Sequence, residues 1–197
     1  MYSLLLDSAN RDLNIGLAKD GLLVDRVSYD AWQRQSELMV KEIDAVLHRN
    51  KLSAKDINEV VVTIGPGSYT GIRIALTIAK TLAFTLNIPL FAVSSLAVQR
   101  IVNVDTVSVI NARSSRSYVA IYDKSGVALT EECVMDNNDV ISYLKNHPSF
   151  VLCGEATYLG VAAHDFDVLN GMMLERQKAN AVENVLTLKP VYLKDLL

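Results

Sequence analysis

Cysteine, histidine and tryptophan are scarce in this 197-residue chain: two, three and one, respectively. Cys133 and Cys153 stand apart among apolar neighbours, which excludes a closely spaced metal clip and reads as a pair of reduced core thiols. No two of His48, His147 and His164 are four residues apart, so no helix face can offer a paired imidazole metal site. Lys and Arg are scattered without a run, and the net charge is -3. A free-standing nucleic-acid binder, which carries a basic patch, is not expected. Any RNA contact is expected mostly through a partner. Long apolar runs are also missing. The richest stretch, residues 72–86, is interrupted by Arg73 and Lys80 and is too short to span a bilayer. The opening Met-Tyr-Ser-Leu-Leu-Leu-Asp has no basic leader and reads as a strand rather than a signal peptide. A cytoplasmic protein without membrane contact is expected.

What is present is a strongly patterned chain, half of it apolar. Residues 2–6 predict a strand buried on both faces. Residues 13–17 alternate and predict a half-buried strand. Asp20-Gly21 marks a hairpin, with residues 22–29 returning as a third strand. A helix is predicted over residues 33–50, with Leu38, Met39, Ile43, Val46 and Leu47 on one face. Residues 58–64 predict a buried strand. A glycine-rich turn then leads to a helix over residues 70–87, stopped before Pro89. Residues 90–93 are extended, and Ser94 or Ser95 is placed to cap a helix reaching Val102.

The pattern then repeats. Residues 106–111 predict a strand, 117–122 an alternating strand, Ser125-Gly126 a turn, 138–145 a short helix and 150–153 a strand. Gly171-Met172-Met173 can open a final helix, though its periodicity is weak. Residues 7–21 and 111–126 contain the same parts, which suggests an internal duplication. Two units that each open with a strand meander describe an α/β fold of the actin-like ATPase (ribonuclease H-like) kind. A Rossmann sheet would open with a helical crossover instead. The expected division is an N-terminal lobe, residues 1–103, carrying partner-binding helices, and a smaller diverged lobe, residues 104–197, whose last residues pack back on the first.

Gly65-Pro66-Gly67-Ser68-Tyr69-Thr70-Gly71 joins a buried strand to a helix, where free backbone N–H groups can hold phosphate. Its G-x-G-x-x-x-G spacing fits neither the dinucleotide fingerprint nor a P-loop. The alternative reading is a tight turn that seats the helix. On that helix Arg73, Thr77, Lys80, Thr81 and Thr85 form one polar stripe. The remainder, including Leu76, Ala79 and Ala83, is apolar enough for two faces. Two readings stay open: a helix sandwiched within its own lobe, or one shared between the sheet and a partner subunit. Ser68 does not sit in a G-x-S-x-G elbow, so a serine hydrolase is not supported.

The glycine turn with Ile72-Arg73 resembles the G-P-G-S-[FY]-T-G-[LIV]-R motif of the TsaB (YeaZ) family. Leu6-Asp7-Ser8-Ala9 resembles that family's opening Asp-Thr-Ala/Ser. Gln35-Ser36-Glu37 resembles its His-Ser-Glu helix start, with Gln in place of His. Ile88-Pro89-Leu90, Val93-Ser94-Ser95-Leu96, Asn111-Ala112-Arg113 with Tyr118 to Tyr122, and Pro190-Val191-Tyr192-Leu193-Lys194 extend the resemblance in order, while residues 131–188 are poorly covered. The resemblance implies a non-catalytic subunit that activates a TsaD-type threonylcarbamoyltransferase in making threonylcarbamoyladenosine (t6A) in tRNA. It further implies a TsaE-type ATPase in the same machinery, ATP and Mg used by the partner subunits, tRNA met through the complex, and a homodimer when isolated. Gly65 to Gly71, Arg73, Leu76, Ala79, Lys80 and Ala83, with Ser36 and Glu37, mark the expected partner-interface region.

Catalysis by this chain is not expected. Active actin-like ATPases place Asp-x-Gly loops at the opening of each lobe, and Mg²⁺ is held there by one or two carboxylates with phosphate. Here the loops read Asp7-Ser8-Ala9 and Asn111-Ala112-Arg113, so one acid is an amide and the glycines are gone. No metal ligand is assigned. The competing expectation is a diverged kinase or ATPase using Asp7. Arg73, Arg113 and Arg116 are candidates for direct tRNA contact.

Overall fold

A computed structural model describes residues 1–193, so Lys194 of the terminal motif lies outside the described residues. The first sheet comprises β1 (Tyr2–Asp7), β2 (Asp12–Lys19), β3 (Leu22–Asp30), β4 (Glu59–Thr63) and β5 (Leu90–Val93), in the order β3-β2-β1-β4-β5. The β1–β2–β3 meander is antiparallel, and β4 and β5 add in parallel. α1 (Gln35–Arg49) connects β3 to β4, and α2 (Tyr69–Leu86) connects β4 to β5. The second sheet has the order β8-β7-β6-β9, formed by β6 (Thr106–Arg113), β7 (Arg116–Tyr122), β8 (Cys133–Asp136) and β9 (Val151–Gly154). α3 (Asn137–Asn146) precedes β9. Meander, helix and parallel strand thus recur in the same spatial order, which establishes the duplicated actin-like architecture. The second copy has no fifth strand among the described residues.

Period-two burial explains why the first sheet is a middle layer. Leu4 and Leu6 of β1 and Val60 and Val62 of β4 face α1 and α2. Leu5 and Val61 point the other way, onto α4 (Val168–Lys178) through Leu169, Met172 and Met173. Residues alternate across a strand, so a fully buried strand requires cover on both sides. The expectation that β2 is only half-buried is corrected: all of Leu13 to Ala18 is buried. α4 supplies the unexpected cover, with Leu169 standing against Gly16.

α4 begins at Val168, three residues before Gly171. Asp167 caps it by accepting from the amides of Leu169 and Asn170. Its periodicity is weak because charged residues on it are also held inward. Arg176 pairs with the buried Glu59 at 2.7 Å and lies over Phe91, and Glu175 pairs with Arg100 at 2.9 Å. The following segment crosses the first lobe. Ala181 bridges Phe91, Val182 N donates to Leu90 O, and Val191 N donates to Ile64 O.

One expected helix is replaced, one strand was not anticipated and one helix is trimmed at its ends. The helix predicted after Ser94 is a single 3₁₀ turn, Ala97–Gln99, seated on Ser94 Oγ. It cannot lengthen as an α-helix because Arg100 is already extended and all three turn residues are buried. β8 carried no alternating signal, since Cys133, Val134 and Met135 are all only partly buried on an edge strand. The helix predicted at 33–50 keeps its apolar face, with Met39, Ile43, Val46 and Leu47 buried, over Gln35–Arg49. No helix among the described residues is long and apolar enough to cross a membrane.

Candidate interaction groove and interlobe cleft

The glycine turn is built by close backbone approach. Ser68 Oγ caps α2 by accepting from Gly71 N at 3.2 Å, and Ser8 Oγ donates to Gly71 O at 2.8 Å. A Cβ on Gly71 would lie 1.9 Å from Ser8 O, and one on Gly67 would lie 2.3 Å from Ala9 O. These glycines therefore serve the packing of the turn against the β1–β2 loop, whatever else the turn does.

α1 and α2 run side by side over one face of the sheet, and their outer surfaces leave an open groove of about 510 Å³. Ser36 and Val40 of α1 and Arg73, Ile74, Thr77 and Ile78 of α2 line it, with Tyr69 and Thr70 at one end. Val40 is 59% exposed. Further along α2, Phe84 is 62% exposed beside the exposed Leu186. The polar stripe is thus the outward face of α2, flanked by half-buried isoleucines. Leu76, Ala79 and Ala83 do not belong to it. They are buried in the core of the first lobe, so their assignment to an outward-facing interface is corrected. Lys80 is tied to the carbonyl oxygens of Leu186 and Leu188 at 2.8 and 2.9 Å. Glu37 is exposed and paired with Arg34 at 3.6 Å.

Asn10 and Arg11 of the β1–β2 loop, with the glycine turn, face the second degenerate loop, Asn111-Ala112-Arg113, across a cleft of about 590 Å³. Asp7 does not line it. Its Oδ1 accepts from Thr63 Oγ1 at 2.5 Å and Ala9 N at 3.2 Å, and its Oδ2 accepts from Asn14 Nδ2 at 2.8 Å. Burial pushes its carboxyl above the ordinary range, although these three donors pull the other way. Asn111 Oδ1 accepts from Arg113 N at 2.8 Å, closing its own loop. Arg113 begins three consecutive residues of positive φ, at 66°, 54° and 58°. Gln35, in the place of the family's His, is buried and donates to the carbonyl oxygens of Asn10 and Arg11. It thereby fixes the first loop to the start of α1.

Sequence reasoning missed the aromatic lining of this cleft, Trp32 and Tyr118, and its charged members Arg11 and Glu155. The single tryptophan of the chain was the available signal. The histidines stay dispersed: His147 stacks on Tyr143 with centroids 4.0 Å apart, and His164 bridges β9 at Cys153. Among the described residues no group of three or more His, Cys, Asp or Glu side chains is placed to hold a metal ion.

Two lobes of repeated meander-plus-helix topology, divided by a cleft between their first loops, define a protein of the actin-like ATPase superfamily. A family profile described as TsaD, tRNA N6-adenosine threonylcarbamoyltransferase, matches residues 29–159. The tRNA threonylcarbamoyladenosine biosynthesis protein TsaB of Bacillus subtilis is 34% identical over 148 residues, covering 72% of this chain and 63% of its own. An uncharacterized protein of Mycoplasma pneumoniae, the MG208 homolog, is 32% identical over 201 residues, covering 98% and 95%. YeaZ from Pseudomonas aeruginosa superposes with a TM-score of 0.78 at 20% identity, over 98% of this chain and 99% of its own. The chain belongs to the TsaB (YeaZ) family.

Proposed function

We propose that this chain works in the formation of threonylcarbamoyladenosine in tRNA, as a non-catalytic subunit that binds and activates a TsaD-type partner. The observation that carries this reading is the α1–α2 groove. Val40, Ile74 and Ile78 present an apolar strip on two parallel helices, with Phe84 exposed further along α2. An apolar helical face of this kind is what a partner's helices would bury. The name of the Bacillus relative and the matching family profile support the pathway. On this reading ATP and Mg belong to the partner subunits, a TsaE-type ATPase among them, and the same groove pairs two copies when the chain is alone.

The state of Asp7 argues against the competing kinase or ATPase. Both of its oxygens are already engaged by Thr63, Asn14 and Ala9. The test is a reconstitution with TsaD and TsaE of the same organism, tRNA, ATP and threonylcarbamoyl-adenylate. Modified adenosine should depend strongly on this chain, and this chain alone should give none. Full activity without it would overturn the proposal.

A further inference from the structure

The interlobe cleft carries a chemistry that the groove does not. Arg11, Trp32, Tyr69, Arg113, Tyr118 and Glu155 converge on it. Trp32 is 37% exposed and offers its ring to a flat ligand, whereas Tyr69 is already stacked on Tyr192 with Arg73 over its ring. The Arg11 guanidinium lies 5.5 Å from the Trp32 ring and is paired with Asp30 at 2.8 Å. Arg113 is exposed, and no carboxylate pairs with it among the described residues. With Arg11 offset by Asp30 and Glu155 the remaining acid, Arg113 is the cleft cation without a carboxylate partner among the described residues.

Aromatic faces beside a free guanidinium are the elements with which proteins hold an unpaired nucleotide: the base stacks and the phosphate is neutralised. A Mg-bound triphosphate fits poorly. Asp7 does not line the cleft and both its oxygens already accept hydrogen bonds, and Asn111 Oδ1 is occupied by Arg113 N. A single phosphodiester asks only for one cation and no metal. We infer that the interlobe cleft receives one unpaired nucleotide of an RNA strand, its base against Trp32 or Tyr118, its phosphate on Arg113, without Mg²⁺. The choice of RNA over a free nucleotide rests in part on the proposed role in tRNA modification. The cleft adjoins the groove that the partner would fill, the two meeting at Tyr69 and Thr70.

Trp32 is the only tryptophan in the chain, so its fluorescence reports the cleft directly. The full chain is titrated in EDTA with a short single-stranded oligoribonucleotide, with AMP, and separately with Mg-ATP. The oligonucleotide should quench Trp32 saturably. Its affinity should fall about tenfold or more in Arg113→Gln and fall with added salt. The variant's circular dichroism and melting temperature should match the parent. AMP should bind far more weakly than the oligonucleotide. Absence of saturable binding, equal affinity in Arg113→Gln, or AMP binding as tightly as RNA would each overturn the inference. Quenching by Mg-ATP alone would overturn it in favour of a retained nucleotide site. Dependence of the reconstituted reaction on this chain, with no RNA binding, would leave the subunit reading standing and remove only this one.

Discussion

The ring of Tyr192, near the end of the chain, stacks on Tyr69 in the first turn of α2, with centroids 5.2 Å apart. Arg73 also lies over the Tyr69 ring, at 4.5 Å, and bonds to its hydroxyl. The terminal segment and the glycine turn, 123 positions apart in sequence, therefore share one aromatic contact at the mouth of both the groove and the cleft. Tyr192→Ala should lower stability by about 1 kcal/mol, the usual worth of an aromatic pair. Urea unfolding checks this. A change below the noise of the melt would mean that the stack contributes nothing.

The glycine turn should be far less tolerant than its cap. Gly71→Ala places a methyl 1.9 Å from Ser8 O, between two rigid backbones. A loss of about 3 kcal/mol or more is expected, at the upper end of overpacking costs. Ser68→Ala removes only the cap bond and should cost about 1 kcal/mol. Parallel denaturation curves of the two variants measure the contrast.

Burial separates fold from binding on α2. Ala83 is 2% exposed, so Ala83→Arg should prevent folding and say nothing about partners. Val40 lines the open groove and is 59% exposed, so Val40→Glu should fold normally. It should weaken capture of a TsaD-type partner by about tenfold or more, as for a central apolar contact. Circular dichroism with sedimentation of the mixed proteins distinguishes the two outcomes. An unchanged complex in Val40→Glu would place the interface elsewhere.

Asp7 should mark the pH dependence of stability. Its carboxyl titrates above the unfolded value of 3.8, so the folded chain holds the proton more tightly than the unfolded chain. Its contribution is then fully present below that value, and is lost as pH rises through the raised folded pKa. Asp7→Asn removes this titration. Measured by urea unfolding at increasing pH, the stability difference should shift in favour of Asp7→Asn through that window and level off above it. A difference independent of pH would show that Asp7 does not titrate in the folded chain.

Much of the fold was legible because local pattern and tertiary role agree. Continuous apolar runs made β1 and β4 buried strands, and the residue spacing of α1 placed Met39, Ile43, Val46 and Leu47 inward. The glycine turn was found as a motif, and its neighbours Ser36, Tyr69, Thr70 and Arg73 do line one groove. What failed was the choice of face. Small apolar residues such as Ala79 and Ala83 suit a partner helix and a tight core equally well, and spacing alone does not tell inside from outside. α4 was faint because its Glu175 and Arg176 are held by ion pairs that join distant segments, which no local periodicity records.

By itself, then, the sequence determined the first meander and the opening two strands of the second, the glycine turn at α2, the loss of the acidic second loop and the family to which the chain belongs. These are local properties: backbone conformation, strand and helix period, and residue chemistry at fixed spacing. Tertiary structure decided that α4 and the terminal segment lie on the first lobe, that Asp7 is locked inside a hydrogen-bonded cluster, and that Trp32, Arg113 and Tyr118 meet across a cleft. Those outcomes depend on which surfaces cover one another, and contacts between residues a hundred positions apart leave no mark in any short stretch of chain.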